Sequence, residues 1–210
     1  MTNPLQAAPA SNRHLLIFAR RPELGCVKTR LAADLGNEAA LSVYCRLLAH
    51  TRAVTTPLAA RQIVWLAKAG PAAASFPDEW SGYEQQPQPP GDLGQKMQAA
   101  FAQSFARGAT AVVVIGTDCP GLTTDHLTAA FRALETHDVV LGPATDGGYY
   151  LLGMKQLWPD LFQNKAWSTE TVRAATEADV QRLQLGLYLL PELRDVDTAA
   201  DLRAWEAAAG

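Results

Sequence analysis

The residues able to do chemistry in this chain gather directly behind its apolar runs. Behind HLLIFA, His14 to Ala19, comes ARRPELGCVKTRLA, in which Arg20, Arg21, Lys28 and Arg30 surround Gly25. Four cations within eleven residues suit a di- or triphosphate, and Gly25 offers a backbone point at which a loop can fold around an anion. A solvated basic loop is the alternative that charge pattern alone allows. Neither GxxxxGK[ST] nor GxGxxG occurs here, so for any bound phosphate the side chains must supply much of the charge.

Carboxylates stand in comparable places. Asp118 in GTDCPGL follows the buried-type run AVVVIG and precedes a Pro-Gly turn. Oxygen ligands there suit Mg²⁺ or Mn²⁺, which share their coordination between one or two carboxylates and substrate phosphates. The competing reading is an Asp that caps its own turn. Near the end, Thr198 and Asp201 form a capping-box pattern that makes Asp201 structural. Asp197, with Asp195 beside it, is left free to supply a second carboxylate to a metal on Asp118.

Asp146 in GPATDGGYYLLG precedes Gly147 and Gly148, whose missing side chains would let the main chain approach a ligand. Equally, Asp-Gly is a hairpin-turn signal. Tyr149 and Tyr150 alternate along a strand, so at most one of them is expected to face a pocket. Trp167 and Ser168, ahead of Val172, read as a hydrophobic staple around an N-cap rather than as a sugar-stacking pair. Cys26, Cys45 and Cys119 are scattered without CxxC spacing, and Cys26 and Cys119 read as small fillers beside the site.

The elements that must position these groups alternate. Strand patterns cover His14 to Ala19, Ile63 to Ala67, Ala111 to Gly116, Asp138 to Gly142, Tyr149 to Met154 and about Leu185 to Leu190. Helical spacing opens at Asn37 and Glu38, recurs at Met97, Phe101 and Phe105 and at Leu127, Phe131 and Leu134, then runs from about Thr169 to Arg182 and from Thr198. A long loop is expected between the first strand and Asn37, and another over Gln85 to Pro90. This pattern predicts a three-layer α/β/α sandwich whose ligands sit beyond the carboxyl ends of the strands.

A chain of 210 residues, 48% of them apolar, can bury one sizeable core. A single domain over 13–210 is expected, behind a polar, disordered arm at 1–12. The formal charge of −3 provides no field to attract a nucleic acid. No run is long and apolar enough for a membrane span, and the first residues lack a signal-peptide core, so a soluble cytoplasmic protein is expected.

In order along the chain, FARRPELGCVKTRLA, GDLGQKM, GTDCPGL, PATDGGYYLLG, WSTETV and DVDTAADL resemble the nucleotide-diphospho-sugar transferase superfamily, with its glycosyltransferase-A type of fold. The likeness runs from about His14 to Glu206. It is strongest to a small bacterial branch of transferases labelled glycosyltransferases and linked in some genomes to arsenosugar biosynthesis. It implies a mostly parallel mixed sheet and a nucleotide across its carboxyl end. The Leu24 to Leu31 loop, with Lys28 and Arg30, would cradle phosphates, joined by Arg20 and Gly25. Asp118 falls on the family's central acidic motif, and Asp197 on the position of a second metal carboxylate in related cytidylyl- and guanylyltransferases. Gly91, Asp92 and Gly94 of GDLG would contact the base. Two departures stand out: the first loop lacks GGxGxR, and TDC replaces a full Asp-x-Asp.

The leading expectation is glycosyl transfer from a nucleotide-diphosphate sugar to a small acceptor. A divalent ion on Asp118 and Asp197 would act with Lys28 and Arg30 on the departing diphosphate. Asp146 would orient or deprotonate the acceptor, which Gly147, Gly148 and Tyr149 would help to hold. A homodimer is compatible with the chain. The rival is nucleotidyl transfer from a nucleoside triphosphate to a phosphorylated small molecule, because KTRL also resembles the KSRL segment of a guanylyltransferase branch. A third reading is a nucleotide-binding domain without turnover.

Overall fold

Apolar runs flanked by loop-forming residues become the strands of one seven-stranded sheet in the computed structural model of the protein, which describes residues 12–67 and 78–208. The arm expected at 1–12 lies almost wholly outside the described residues. In chain order the elements are β1 (Arg13–Ala19), α1 (Thr29–Leu35), α2 (Asn37–Thr55), β2 (Arg61–Leu66), β3 (Glu84–Pro87), α3 (Leu93–Ala106) and β4 (Ala111–Ile115). They continue with α4 (Thr124–Ala133), β5 (Val139–Pro143), β6 (Tyr149–Met154), α5 (Val172–Arg182), β7 (Leu187–Leu189) and α6 (Ala199–Ala208).

The sheet order is β3-β2-β1-β4-β6-β5-β7. Every pairing is parallel except those of β6, which runs antiparallel to both β4 and β5. The expected mixed, mostly parallel α/β/α sandwich is therefore the observed fold. All five residues of β4 and of β5 are buried, as strands covered on both faces require. Alternation sends Leu15, Ile17, Val113 and Ile115 into one apolar layer, and Leu16, Val112 and Val114 into the other with Met97 and Phe101 of α3. A third cluster joins Leu31 of α1, Val43 and Leu47 of α2, and Val196, Ala199 and Leu202 around the start of α6. No helix among the described residues is long and apolar enough to cross a membrane.

Three local expectations are corrected. The loop after β1 contains the short helix α1. Glu84 to Pro87, within the stretch read as loop, forms edge strand β3 against β2, although a Gln/Pro-rich edge carries no apolar alternation to reveal it. Finally, α5 starts at Val172 with Thr171 at its N-cap, and Ser168 stands outside it with a φ of 64°. No staple or N-cap forms at Trp167-Ser168, because Trp167 packs instead over Gly94.

Candidate active site

At the carboxyl edge of β1, β4 and their neighbours lies a cavity of about 840 Å³, enough for a nucleotide and a small second ligand. Its first wall is built by the chain leaving β1. Gly25 turns the loop at a φ of 74°, with the Cys26 amide donating to the Glu23 carbonyl at 3.0 Å. Gly25 itself is absent from the cavity wall, so its part is conformational. The Tyr44 hydroxyl of α2 then ties down the strand end, accepting from the Arg20 amide at 2.8 Å and donating to the Arg20 carbonyl at 3.0 Å. Burial pushes the Tyr44 hydroxyl up to about 12, which keeps it a neutral donor.

Lys28 caps α1 in the left-handed conformation, φ 47° and ψ 47°, and this turns its side chain toward the sheet edge. The ammonium lies 2.6 Å from Asp118 Oδ1 and 2.9 Å from Asp197 Oδ1. Only 5% of the Lys28 side chain is exposed, against 45% for Asp118 and 40% for Asp197. The cation thus lies deep in the wall while both carboxylates stay more open to the cavity. Burial works against the Lys28 charge, but Asp118 and Asp197 outweigh it and hold its pKa above the ordinary value. Arg30 stands in the rim, 3.9 Å from Asp197 Oδ2.

Asp118 and Asp197 meet because of packing. Val196, Ala199 and Leu202 bury against α1 and α2, and the Val196 amide donates to the Asp118 carbonyl at 2.9 Å. Thr198 and Asp201 close the expected capping box, with 2.9 Å between the Thr198 amide and Asp201 Oδ2. Asp195 also faces the cavity. Burial, then Asp118, Asp146 and Asp197, push its carboxyl up to about 7.

Other expected residues are placed differently. Asp146 sits in the β5–β6 hairpin turn, where its carboxylate accepts from the Gly148 amide at 2.8 Å. Neither it nor Gly147 nor Gly148 lines the cavity. A Cβ on Gly147 would come within 2.2 Å of the Glu170 carbonyl, so this glycine serves close packing. The Asp-Gly-Gly turn is thus the hairpin its sequence signals, with Asp146 Oδ1 engaged locally and the residue standing beside the cavity rather than in its wall. Asp92, although in the cavity wall, caps α3 in a capping box with Gln95. Gly91 also lines the wall, but Gly94 is buried under Trp167. Tyr149 and Tyr150 both reach the cavity, because it spans the sheet edge and touches both faces. Cys26 is exposed and Cys119 buried, each in the wall.

Tyr44, Gln88 and Lys96 line the wall without having been marked by the sequence, and Ser168, read as an N-cap, lines it too. The Gln88 amide donates to the Trp65 carbonyl at 3.1 Å and the Ala19 carbonyl at 3.5 Å. Gln88 stands just past β3 and Lys96 in the first turn of α3, whereas Tyr44 lies within α2 and Ser168 in the loop before α5, where no local pattern marks them.

Two carboxylate oxygens within reach of one ammonium can also converge on a divalent cation if Lys28 shifts toward bound phosphate. Among the described residues no group of three or more His, Cys, Asp and Glu is arranged to hold a metal. Such a donor set suits a hard cation that takes its remaining ligands from water and phosphate.

Comparison with known proteins bears on the family and the fold. A family described as "Uncharacterized protein conserved in bacteria (DUF2064)" matches residues 47–169. A phosphoenolpyruvate guanylyltransferase of Chloroflexus aggregans (strain MD-66 / DSM 9485) is 31% identical over 120 residues, 55% of this chain. The match spans 59% of that relative's length. A crystal structure from Desulfovibrio desulfuricans G20, assigned to the nucleotide-diphospho-sugar transferases, superposes with a TM-score of 0.87 at 30% identity, over 93% of this chain and 86% of that one. The manganese complex of Rv0371C from Mycobacterium tuberculosis H37Rv shares the fold, with a TM-score of 0.57 at 17% identity over 93% and 97% of the two chains. The chain belongs to the bacterial DUF2064 family and has the fold of the nucleotide-diphospho-sugar transferases.

Proposed function

We propose that the protein is a nucleotide-dependent transferase that joins a nucleoside monophosphate unit to a phosphorylated small acceptor and releases pyrophosphate. The observation that carries this reading is the junction of Lys28 with Asp118 and Asp197 behind a cationic loop. Arg20, Lys28 and Arg30 line the cavity together with Asp92, Asp118, Asp195 and Asp197. A wall so nearly balanced favours a polyphosphate bound together with a cation. Triphosphate, the most negative donor available to either reading, makes the fullest use of the loop. A guanylyltransferase among the relatives supports the same choice.

A divalent cation on Asp118 and Asp197 would neutralise phosphate charge there and align the donor for in-line attack. Arg20 and Arg30 bind the outer phosphates as forks of N–H donors. Lys28 turns its ammonium from the carboxylates onto the α-phosphate oxygens, where charge builds as the acceptor oxygen bonds to phosphorus and the bond to pyrophosphate breaks. Tyr44 keeps the β1 exit rigid, so the donors need not reorganise.

Glycosyl transfer is the second reading, favoured by the assignment of the Desulfovibrio protein. It would use the same junction for a departing diphosphate. Incubation with each nucleoside triphosphate and a panel of phosphorylated acceptors, assayed for pyrophosphate, tests the proposal. Pyrophosphate formation that Asp118→Asn abolishes is the expected result. Nucleoside diphosphate released from nucleotide sugars, with no pyrophosphate from any triphosphate, would replace it with the second reading.

A further inference from the structure

The cavity has a second lip that the donor chemistry does not use. Donor phosphates belong near Lys28, beside Val27, Tyr44, Cys119 and Tyr150, which pack in the apolar layer under α2 and α4. Lys96 enters from α3, whose Met97 and Phe101 pack in the opposite layer. Lys96 is four residues after the N-cap Asp92, so it shares a helix face with the residues that line the wall.

Lys96 is half-buried and makes no ion pair among the described residues. Nearby carboxylates have other partners: Asp92 accepts from the Gln95 amide at 2.8 Å, and Asp118 and Asp197 hold Lys28. A lysine in a cavity wall with no ion pair of its own is available to an anionic ligand.

The other side of this lip points the same way. Ser168 lines the cavity at a φ of 64°, a conformation that a residue with a side chain rarely adopts. The residue is exposed at the cavity mouth, and its hydroxyl makes no hydrogen bond to another described residue, so it is open to water or a ligand. What holds the segment there is the neighbouring Trp167, whose ring fills the space over Gly94 at the start of α3. Backbone strain maintained by packing in a cavity wall is a pattern of ligand sites.

We infer that Lys96, assisted by Ser168, forms a second anion subsite that holds an oxyanion of the acceptor carried apart from the atom that attacks. Resting on the nucleotidyl reading above, this narrows the acceptor to small molecules with two anionic groups. One group is presented to the donor's α-phosphate, and the other, a phosphate or carboxylate, is gripped by Lys96. A neutral polyol carrying a single phosphate would leave the second lip empty.

The test uses the full chain saturated with Mn²⁺ and the α,β-methylene analogue of the nucleoside triphosphate that binds it most tightly. Inorganic phosphate and, in a second arm, acetate are titrated against melting temperature, which reports binding by linkage. The expected result is a further shift in the wild type. In Lys96→Gln the apparent phosphate dissociation constant should rise about tenfold, in Ser168→Ala about threefold, and in Lys96→Arg little. Affinity for the nucleotide analogue should stay unchanged. A stronger response to acetate than to phosphate would assign the gripped group as a carboxylate. Equal phosphate affinity in wild type and Lys96→Gln, or phosphate that only competes with the nucleotide, would overturn the inference. If no nucleotide binds, the nucleotidyl reading falls by itself, and the same titration on the free protein still decides the anion subsite.

Discussion

The ring of Trp167 lies where a side chain at Gly94 would have to go: a Cβ built there would come within 2.5 Å of the indole. This contact fastens the loop before α5 onto the first turn of α3, and so joins two walls of the cavity. Gly94→Ala gains helix propensity of about 1 kcal/mol but must displace the indole. The expected net result is a loss of about 1–2 kcal/mol in urea unfolding, accompanied by a red-shifted tryptophan emission. Unchanged emission with higher stability would mean that the loop is not held by this packing.

For the carboxylate junction, Asp118→Asn should weaken nucleotide binding in Mn²⁺ far more than in EDTA, as read by calorimetry. Equal weakening in both would mean that the carboxylate acts without a metal.

Lys28→Ala should lose about 1.5–3 kcal/mol of affinity for nucleoside di- and triphosphates, the range of a charge-assisted bond. Binding of the free nucleoside should change little. A loss shared equally by phosphorylated and unphosphorylated ligands would trace the effect to folding around the uncompensated Asp118 and Asp197.

Tyr44→Phe removes the hydroxyl that bonds both backbone polar atoms of Arg20. Stability should fall by about 1 kcal/mol, and triphosphate affinity by several-fold because the loop loses its anchor. Lowered stability with intact affinity would make Tyr44 a core residue only.

Alkylation separates the cysteines. Burial, reinforced by Asp195, pushes the Cys119 thiol up to about 12, whereas Cys26 and Cys45 are exposed. Iodoacetamide at about pH 8 should modify Cys26 and Cys45 and spare Cys119. Bound nucleotide should protect Cys26 alone, because it lines the cavity. Protection of Cys45, or none of Cys26, would move the nucleotide elsewhere.

An acid-sensitive latch lies away from the site. The Gly186 amide, donating to Asp138 at 2.8 Å, and Lys155 at 3.1 Å hold the Asp138 carboxyl below its ordinary value against a smaller effect of burial. A depressed folded-state value stabilises the protein fully above the unfolded value of about 3.9, and the contribution is lost as pH falls through the folded value. Wild type should exceed Asp138→Asn by about 0.5–1.5 kcal/mol at neutral pH, with the gap closing as pH falls through the folded value. A gap that persisted in acid would assign it to packing.

Sequence by itself determined the strand and helix order, from apolar periodicity, and the capping of α6 by Thr198 and Asp201, whose signals span only a few residues. Position just past a strand likewise marked Lys28, Asp118 and Asp197 as candidates. Tertiary structure alone decided which candidates meet: Asp118 and Asp197 are joined through Lys28 because α6 buries its apolar face against α1 and α2, a contact that no local pattern contains. The same holds where structure overruled the reading. Gly94 and Trp167 paired across distant segments, and β3 formed from polar residues because β2 offered an open edge. Short-range patterns encode secondary structure and caps, whereas long-range packing and competition for hydrogen bonds select the groups that face the cavity.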